Sequence, residues 1–362
     1  MAVLIKCVLL ILIVLAVIFS GCATTTPTPT PTPSPAPAPP QEKVFELKFS
    51  YHHPPQSTFT KEIFGPWVES IEKASNGKVK ITQYPGETLV KMKDEFDAVT
   101  SGLSDIATIS AAVTPGRFPL SEIDLLPMLF PTAETAARVH SELLQKYCYD
   151  TEYKEVKVLL DTALPPMQFF TTKPVQKLED LKGMKMRVEG KVETWTMESL
   201  GATPLMMGTG ELYSALERGL VEGIAFAYQG VLAYGFQNIT KYRTVCDIYT
   251  RNFPIIMNKK VWNSLPPDAQ KAFMDNCTPQ VAASYGAKFD KITNGAIQAI
   301  KGFDKKAGNP DFFVLSPDEK ARWEKAVAVV YTKWLDEMNA KKLPGKAMLD
   351  DAQRLVKQYK TP

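Results

Sequence analysis

"LKGMKMRVEGKVETWTMESLGATPLMMGTGELYSALERGLVEGIAFAY" (residues 181–228) alternates between two kinds of segment. "LKGMKMRVEG", "TPLMM" and "EGIAFAY" read as short strands, while "VETWTMESLG" and "GELYSALERG" between them read as helices that stop on glycine. Strands separated by helices of this length indicate β-α-β units and a mostly parallel sheet.

The first half of the chain follows the same plan. "VFELKFSY" puts Phe45, Leu47, Phe49 and Tyr51 on one face, the period of a strand. After the polar loop "HHPPQST", "KEIFGPWVESIEKASNG" carries Ile63, Phe64, Trp67, Val68 and Ile71 on one helical stripe. "KVKITQY", "MKDEFDAVTSG" and "DIATIS" then predict strand, helix and strand. Residues 98–110 ("AVTSGLSDIATIS") can be laid over residues 215–228 ("ALERGLVEGIAFAY"): each ends a helix on Gly and enters a strand containing Ile-Ala. The overlay is either chance or the mark of two similar α/β lobes, each with its own sheet. From Pro266 onward the pattern is helical, and these helices are expected to bridge and cover the lobes.

The N-terminus is of another kind. "MAVLIKCVLLILIVLAVIFSGC" has one positive charge, Lys6, then an apolar run that is short for a bilayer span but suits a signal peptide. It ends in Phe19-Ser20-Gly21-Cys22, which resembles the bacterial lipoprotein box with Phe19 where Leu is usual. Residues 1–21 are thus expected to be a signal peptide and Cys22 the lipidated mature N-terminus. An ordinary secretion signal or an uncleaved anchor is the alternative, and either places the remainder outside the cytoplasm. Residues 22–42 are rich in Thr and Pro, a semi-rigid spacer that tends to polyproline II.

Removing those residues leaves roughly 320, enough for two domains. Lys and Arg number 42 against 39 Asp and Glu, without a basic block, so a nucleic-acid partner has no electrostatic footprint. Cys148, Cys246 and Cys277 leave at least one thiol free, and their spacing shows no zinc pattern. Gly208 and Gly210 lack the third glycine of a dinucleotide loop, and no P-loop, nucleophile-elbow or H-E-x-x-H motif occurs. His140 lies in the amphipathic "ETAARVHSELLQ" and reads as a surface residue. The chain is expected to bind rather than catalyse, with no cofactor and no metal.

Several motifs, in order from about Val44 to the C-terminus, carry a resemblance to a known family. They are "PWVESIEKASNGKVKITQYPGETL", "DAVTSGLSDIA", "DLKGMKMRVEG", "LGATPLMMGTGELYSALERGLVEG" and "MNKKVWNSLPPDAQKAF". The chain resembles the solute receptors of tripartite ATP-independent periplasmic (TRAP) transporters, of the dicarboxylate-receptor type. The resemblance implies a two-lobed, type II-like periplasmic-binding-protein fold. It implies lobe I at 43–165 plus 253–292 and lobe II at 166–252 plus 293–362, with long helices bridging them. It also implies a periplasmic location, an organic acid held between the lobes, and delivery of that acid to TRAP permease subunits in the membrane. A tethered receptor presenting the bound acid to a signalling partner is the alternative.

Read from the residues alone, Arg187 in "KMRVEG" is either a surface arginine or an anion partner at the edge of an α/β sheet, where ligands sit. The resemblance implies that it clamps the substrate carboxylate. It also places His52, Ser110, Thr209 and Asn252 at the cleft, although each is equally suited to a turn or cap. Two departures bear on the ligand. Where many relatives carry a second Arg, this chain has Met167 and Gln168, and where many carry an Asn it has Phe226, with Tyr228 two residues on and expected on the same strand face. One Arg and an aromatic wall suit a monocarboxylate with a hydrophobic or ring portion.

Overall fold

The computed structural model describes residues 43–359. The expected signal peptide, Cys22 and the Pro-rich spacer lie outside the described residues. The strands are β1 (Phe45–Ser50), β2 (Val79–Tyr84), β3 (Ile106–Thr108), β4 (Val156–Leu160), β5 (Gln168–Thr171), β6 (Lys185–Val188), β7 (Thr203–Met206), β8 (Gly223–Phe226), β9 (Tyr242–Val245), β10 (Ile255–Asn258) and β11 (Phe313–Val314). They form two sheets, ordered β2-β1-β3-β10-β4 and β11-β9-β5-β8-β6-β7.

Each sheet is parallel except for one strand that runs against its neighbours: β10 between β3 and β4, and β5 between β8 and β9. The parallel cores match. β1, β2 and β3 are ordered 2-1-3, and β6, β7 and β8 repeat that order as 7-6-8. The helices of these units are α1 (Gly65–Ala74), α2 (Glu95–Ser101), α3 (Ala133–Leu143), α4 (Lys191–Ser199), α5 (Thr209–Glu217) and α6 (Tyr228–Tyr234). The two overlaid segments therefore occupy equivalent places, the α2–β3 and α5–β8 turns. Gly102 and Gly219 there have φ of 84° and 69°, a conformation that penalises a Cβ.

Two extended crossings, residues 161–167 and 246–254, connect the sheets, and the chain passes between them a third time, through helices, from β10 to β11. The two extended crossings hydrogen-bond as an antiparallel ribbon: Phe253 N donates to Thr162 O (2.6 Å), Leu164 N to Arg251 O (2.9 Å) and Met167 N to Tyr249 O (2.8 Å).

The remaining helices are α7 (Lys259–Ser264), α8 (Pro267–Asp275), α9 (Pro279–Ala307), α10 (Pro317–Ala340) and α11 (Gly345–Tyr359). α9 reaches both sheets' surroundings. Asp290 caps the start of α3 by accepting from Ala133 N and Glu134 N, both at 3.0 Å, while Asp304 meets Arg243 of β9 at 2.8 Å. α10 does likewise, with Trp323 against Phe169 of β5 and Trp334 donating to Pro119 O (3.0 Å). α11, grouped with lobe II by the sequence reading, packs on α3 as well as on α10.

His140 departs from its expectation. It is buried in α3, because that helix is covered by both α9 and α11 and has little free polar face. Cys148, Cys246 and Cys277 are all free thiols. No helix among the described residues is long and apolar enough to cross a membrane.

Candidate functional site: a cavity with a charged floor and aromatic walls

A cavity of about 680 Å³, counting its open part, lies at the carboxyl ends of β1, β6 and β8 and beside the crossing ribbon. Ligands collect at such strand ends in α/β sheets because the loops there can be shaped without disturbing the core.

Its floor is charged. Arg187, near the end of β6, is only 3% exposed. Its Nε donates to Met207 O (3.0 Å), and its Nη2 donates to Thr209 Oγ1 (2.9 Å) and to Glu189 Oε1. Nη1 has no partner among the described residues. Thr209, the first residue of α5, donates in turn to Glu189 Oε1 at 3.0 Å. Arg251, on the ribbon, donates from Nη1 to Glu189 Oε2 and from Nη2 to Glu193 Oε1, and its Nε is buried without a partner. The second oxygen of Glu193 accepts from Glu189 N at 2.6 Å.

Burial lowers the pKa of Arg187, and burial together with Arg187 lowers that of Arg251 to about 9, so both stay charged at neutral pH. Burial raises Glu193 to about 7 against the pull of Arg187. Two cations and two carboxyl groups thus share a space that water scarcely enters.

The rest is apolar or neutral. Phe59, Phe226, Tyr234, Phe253, Phe289 and Met167 line it. Phe59 meets Phe289 at 4.7 Å and Phe253 at 5.4 Å between ring centroids. Phe226 sits edge-on to Phe236 and Tyr234. His52 and His53 have ring centroids 3.8 Å apart, their planes tilted by 41°. Burial, then Arg251, drops the His52 pKa to about 3, and burial, then His52, lowers His53, so both rings are neutral. Their Nδ1 atoms and Gln229 Oε1 are buried without partners.

Five of the residues singled out from sequence line this cavity: Arg187, Thr209, Met167, Phe226 and His52. The other four do not. Gln168 points the opposite way from Met167, as neighbours on an extended segment must. Its Oε1 accepts from Cys246 N and Asp247 N, and its Nε2 donates to Asp247 Oδ1. Tyr228 does not share a strand face with Phe226, because β8 ends at Phe226 and Tyr228 begins α6. Its ring packs in the core against Phe170 and Phe312.

Asn252 turns away from the cavity into a buried polar group, donating to Asp161 Oδ2 (2.8 Å). Ser110 is buried at the start of the turn Ala111–Val113 and does not line the cavity. The sequence reading missed Arg251 and Glu189. Arg251 is the immediate neighbour of Asn252, and Glu189 stands two residues after Arg187. Alternation along an extended segment was the available signal for both.

Comparison with known proteins now bears on this geometry. A family model described as bacterial extracellular solute-binding protein, family 7, matches residues 49–337, well over half of the chain. The C4-dicarboxylate-binding periplasmic protein DctP of Rhodobacter capsulatus is 27% identical over 299 residues, covering 81% of this chain and 87% of its own. A TRAP solute binding protein of Rhodoferax ferrireducens, solved with copurified benzoate, superposes with a TM-score of 0.82 at 27% identity, over 87% of this chain and 98% of the other. A marine metagenome TRAP solute binding protein specific for aromatic acid ligands, solved with metahydroxyphenylacetate, gives 0.82 and 27%, over 88% of this chain and 100% of the other. With two matched sheets joined by a crossing ribbon, the chain belongs to bacterial extracellular solute-binding protein family 7, and is a TRAP-type extracytoplasmic solute receptor rather than an enzyme.

Proposed function

We infer that this receptor binds an organic monocarboxylate with a hydrophobic or aromatic portion and delivers it to a TRAP membrane permease. The observation that carries the reading is the open Nη1 of Arg187 at the foot of an aromatic-walled cavity. A guanidinium in such a place offers a carboxylate charge-assisted bonds worth about 1.5–3 kcal/mol each. The aromatic walls offer a ring the apolar contact it loses in water. The benzoate and metahydroxyphenylacetate held by two similar receptors support the same ligand class. A small dicarboxylate would bring a second charge into the apolar part, at a desolvation cost. Thermal-shift and calorimetric screening of an acid library tests this. Stabilisation by benzoate or phenylacetate is expected, whereas strong stabilisation by succinate or malate with none by aromatic acids overturns it.

Lipid attachment at Cys22, followed by the Thr/Pro spacer, would keep the receptor at the membrane while letting it reach its permease. Lipoproteins need more than one acyl chain for lasting attachment. Cys22→Ser is expected to release the protein from the membrane fraction and to abolish palmitate labelling. Unchanged fractionation would remove the tether.

A further inference from the structure

We propose that Glu189 sets the charge of the acid this receptor accepts: its side chain takes the place of a ligand's second carboxylate between Arg187 and Arg251, so the cavity admits monocarboxylates and rejects dicarboxylates. The inference rests on the reading of this cavity as a carboxylate site.

The hydrogen-bond inventory gives the first reason. One carboxylate of Glu189 engages both guanidinium groups, Oε1 accepting from Arg187 Nη2 and Oε2 from Arg251 Nη1. Glu193 takes the other Nη of Arg251. A ligand thus meets one open Nη, that of Arg187. Both Nη groups of the second guanidinium, which would otherwise serve a second carboxylate, are already taken by the protein's own acids, Glu189 and Glu193.

Charge gives the second. With Glu193 ionised, as it is above its pKa of about 7, Arg187 and Arg251 against Glu189 and Glu193 sum to zero (2 − 2). One bound carboxylate leaves the cluster at −1, and two leave it at −2, within a buried site where an uncompensated charge is costly. Without the Glu189 charge the cluster stands at +1, and a dicarboxylate then reaches the same −1 that a monocarboxylate reaches now.

The third is that Glu189 cannot easily withdraw. Its side chain is 6% exposed and pinned by the Thr209 hydroxyl as well as by both arginines. Its backbone sits on the short turn between β6 and α4. There Gly190 lies so close to the loop after β3 that a Cβ would stand 2.7 Å from Ala112 O. The carboxylate thus stands on a turn packed closely against the loop after β3.

Calorimetry of the wild type, Glu189→Gln and Glu189→Ser with benzoate, isophthalate and succinate tests the proposal. The wild type is expected to bind benzoate and to bind isophthalate at least about 100-fold more weakly, a difference of about 2.7 kcal/mol. In both variants the affinity for isophthalate or succinate, taken as a ratio to that for benzoate, is expected to rise at least about tenfold. Wild type that binds either dicarboxylate as tightly as benzoate overturns the proposal whether or not the variants fold, while leaving the carboxylate-receptor reading in place. A selective wild type whose folded variants keep the original ratio also overturns it. A protein that binds none of these acids overturns the functional reading and this inference together.

Discussion

His140 Nδ1 lies 2.7 Å from Asp161 Oδ2 and His140 Nε2 lies 3.1 Å from Ser121 O, with both side chains buried. A carbonyl oxygen and a carboxylate both accept, so both ring nitrogens donate and the imidazole is charged. Burial opposes that charge, but Asp161 and then Asp124 outweigh it and raise the pKa to about 9. A histidine pKa above the unfolded value of about 6.5 contributes stability that is complete below pH 6.5 and is lost as pH rises through 9. Unfolding free energy should fall between those limits by on the order of 1–3 kcal/mol more in the wild type than in His140→Gln. Asp124, raised to about 6 by burial, has already titrated across most of its range below this window. Urea denaturation at pH 6.5 and 9 measures the difference, and parallel slopes in the two proteins would show the ring to be neutral.

Arg187→Lys should lose most of the affinity for a monocarboxylate, by about 10–100-fold, with little change in fold. An ammonium can replace the charge but not the planar fork that meets Met207 O, Thr209 and Glu189 while leaving one Nη open. Calorimetry with benzoate checks this, and unchanged affinity would place the carboxylate elsewhere.

Gly230 in α6 has a specific neighbour. A Cβ there would lie 2.3 Å from Cε1 of Phe226, so an alanine must displace this ring of the cavity wall. Helix propensity favours Ala over Gly by about 1 kcal/mol, which offsets part of the overpacking cost. Gly230→Ala is therefore expected to change the melting temperature little while weakening benzoate binding at least about fivefold, roughly 1 kcal/mol. Unaltered binding would mean that Phe226 is not a wall of the ligand's space.

These residues also show what a sequence can disclose. The β-α-β units were legible because each helix ends on a glycine stop and each strand is short and bounded. The match between residues 98–110 and 215–228 marked the same turn of two units with the same strand order. α6 was not legible: seven residues with a glycine inside, directly after β8, read as more strand, and Tyr228 was misplaced with them. The ribbon was harder still. It lacks an extended apolar period to fix its register, so nothing in the residues corrects the resemblance, which places Asn252 at the cleft where its neighbour Arg251 faces inward. His140 was misread because an amphipathic pattern shows one apolar face and cannot show that a second layer of helix covers the polar one.

Arg243 and Asp304 tie α9 to the second sheet, with no ion pair to the charged residues of the cavity floor among the described residues. Their side chains, 1% and 5% exposed, meet at 2.8 Å, and Arg243 Nη1 also donates to Thr240 O at 2.6 Å. The pair sits in low dielectric, so its net contribution is small while each charge alone is costly there. Asp304→Asn should then destabilise the fold by about 3–5 kcal/mol, since it strands a buried guanidinium. Replacing both partners, Arg243→Met with Asp304→Leu, should cost less than Asp304→Asn despite removing more. Urea denaturation of Asp304→Asn, of the single variants Arg243→Met and Asp304→Leu, and of the double replacement decides it. A double replacement that costs as much as the sum of the single changes would mean that the two charges are not coupled, and that α9 is held at this end by its apolar face alone.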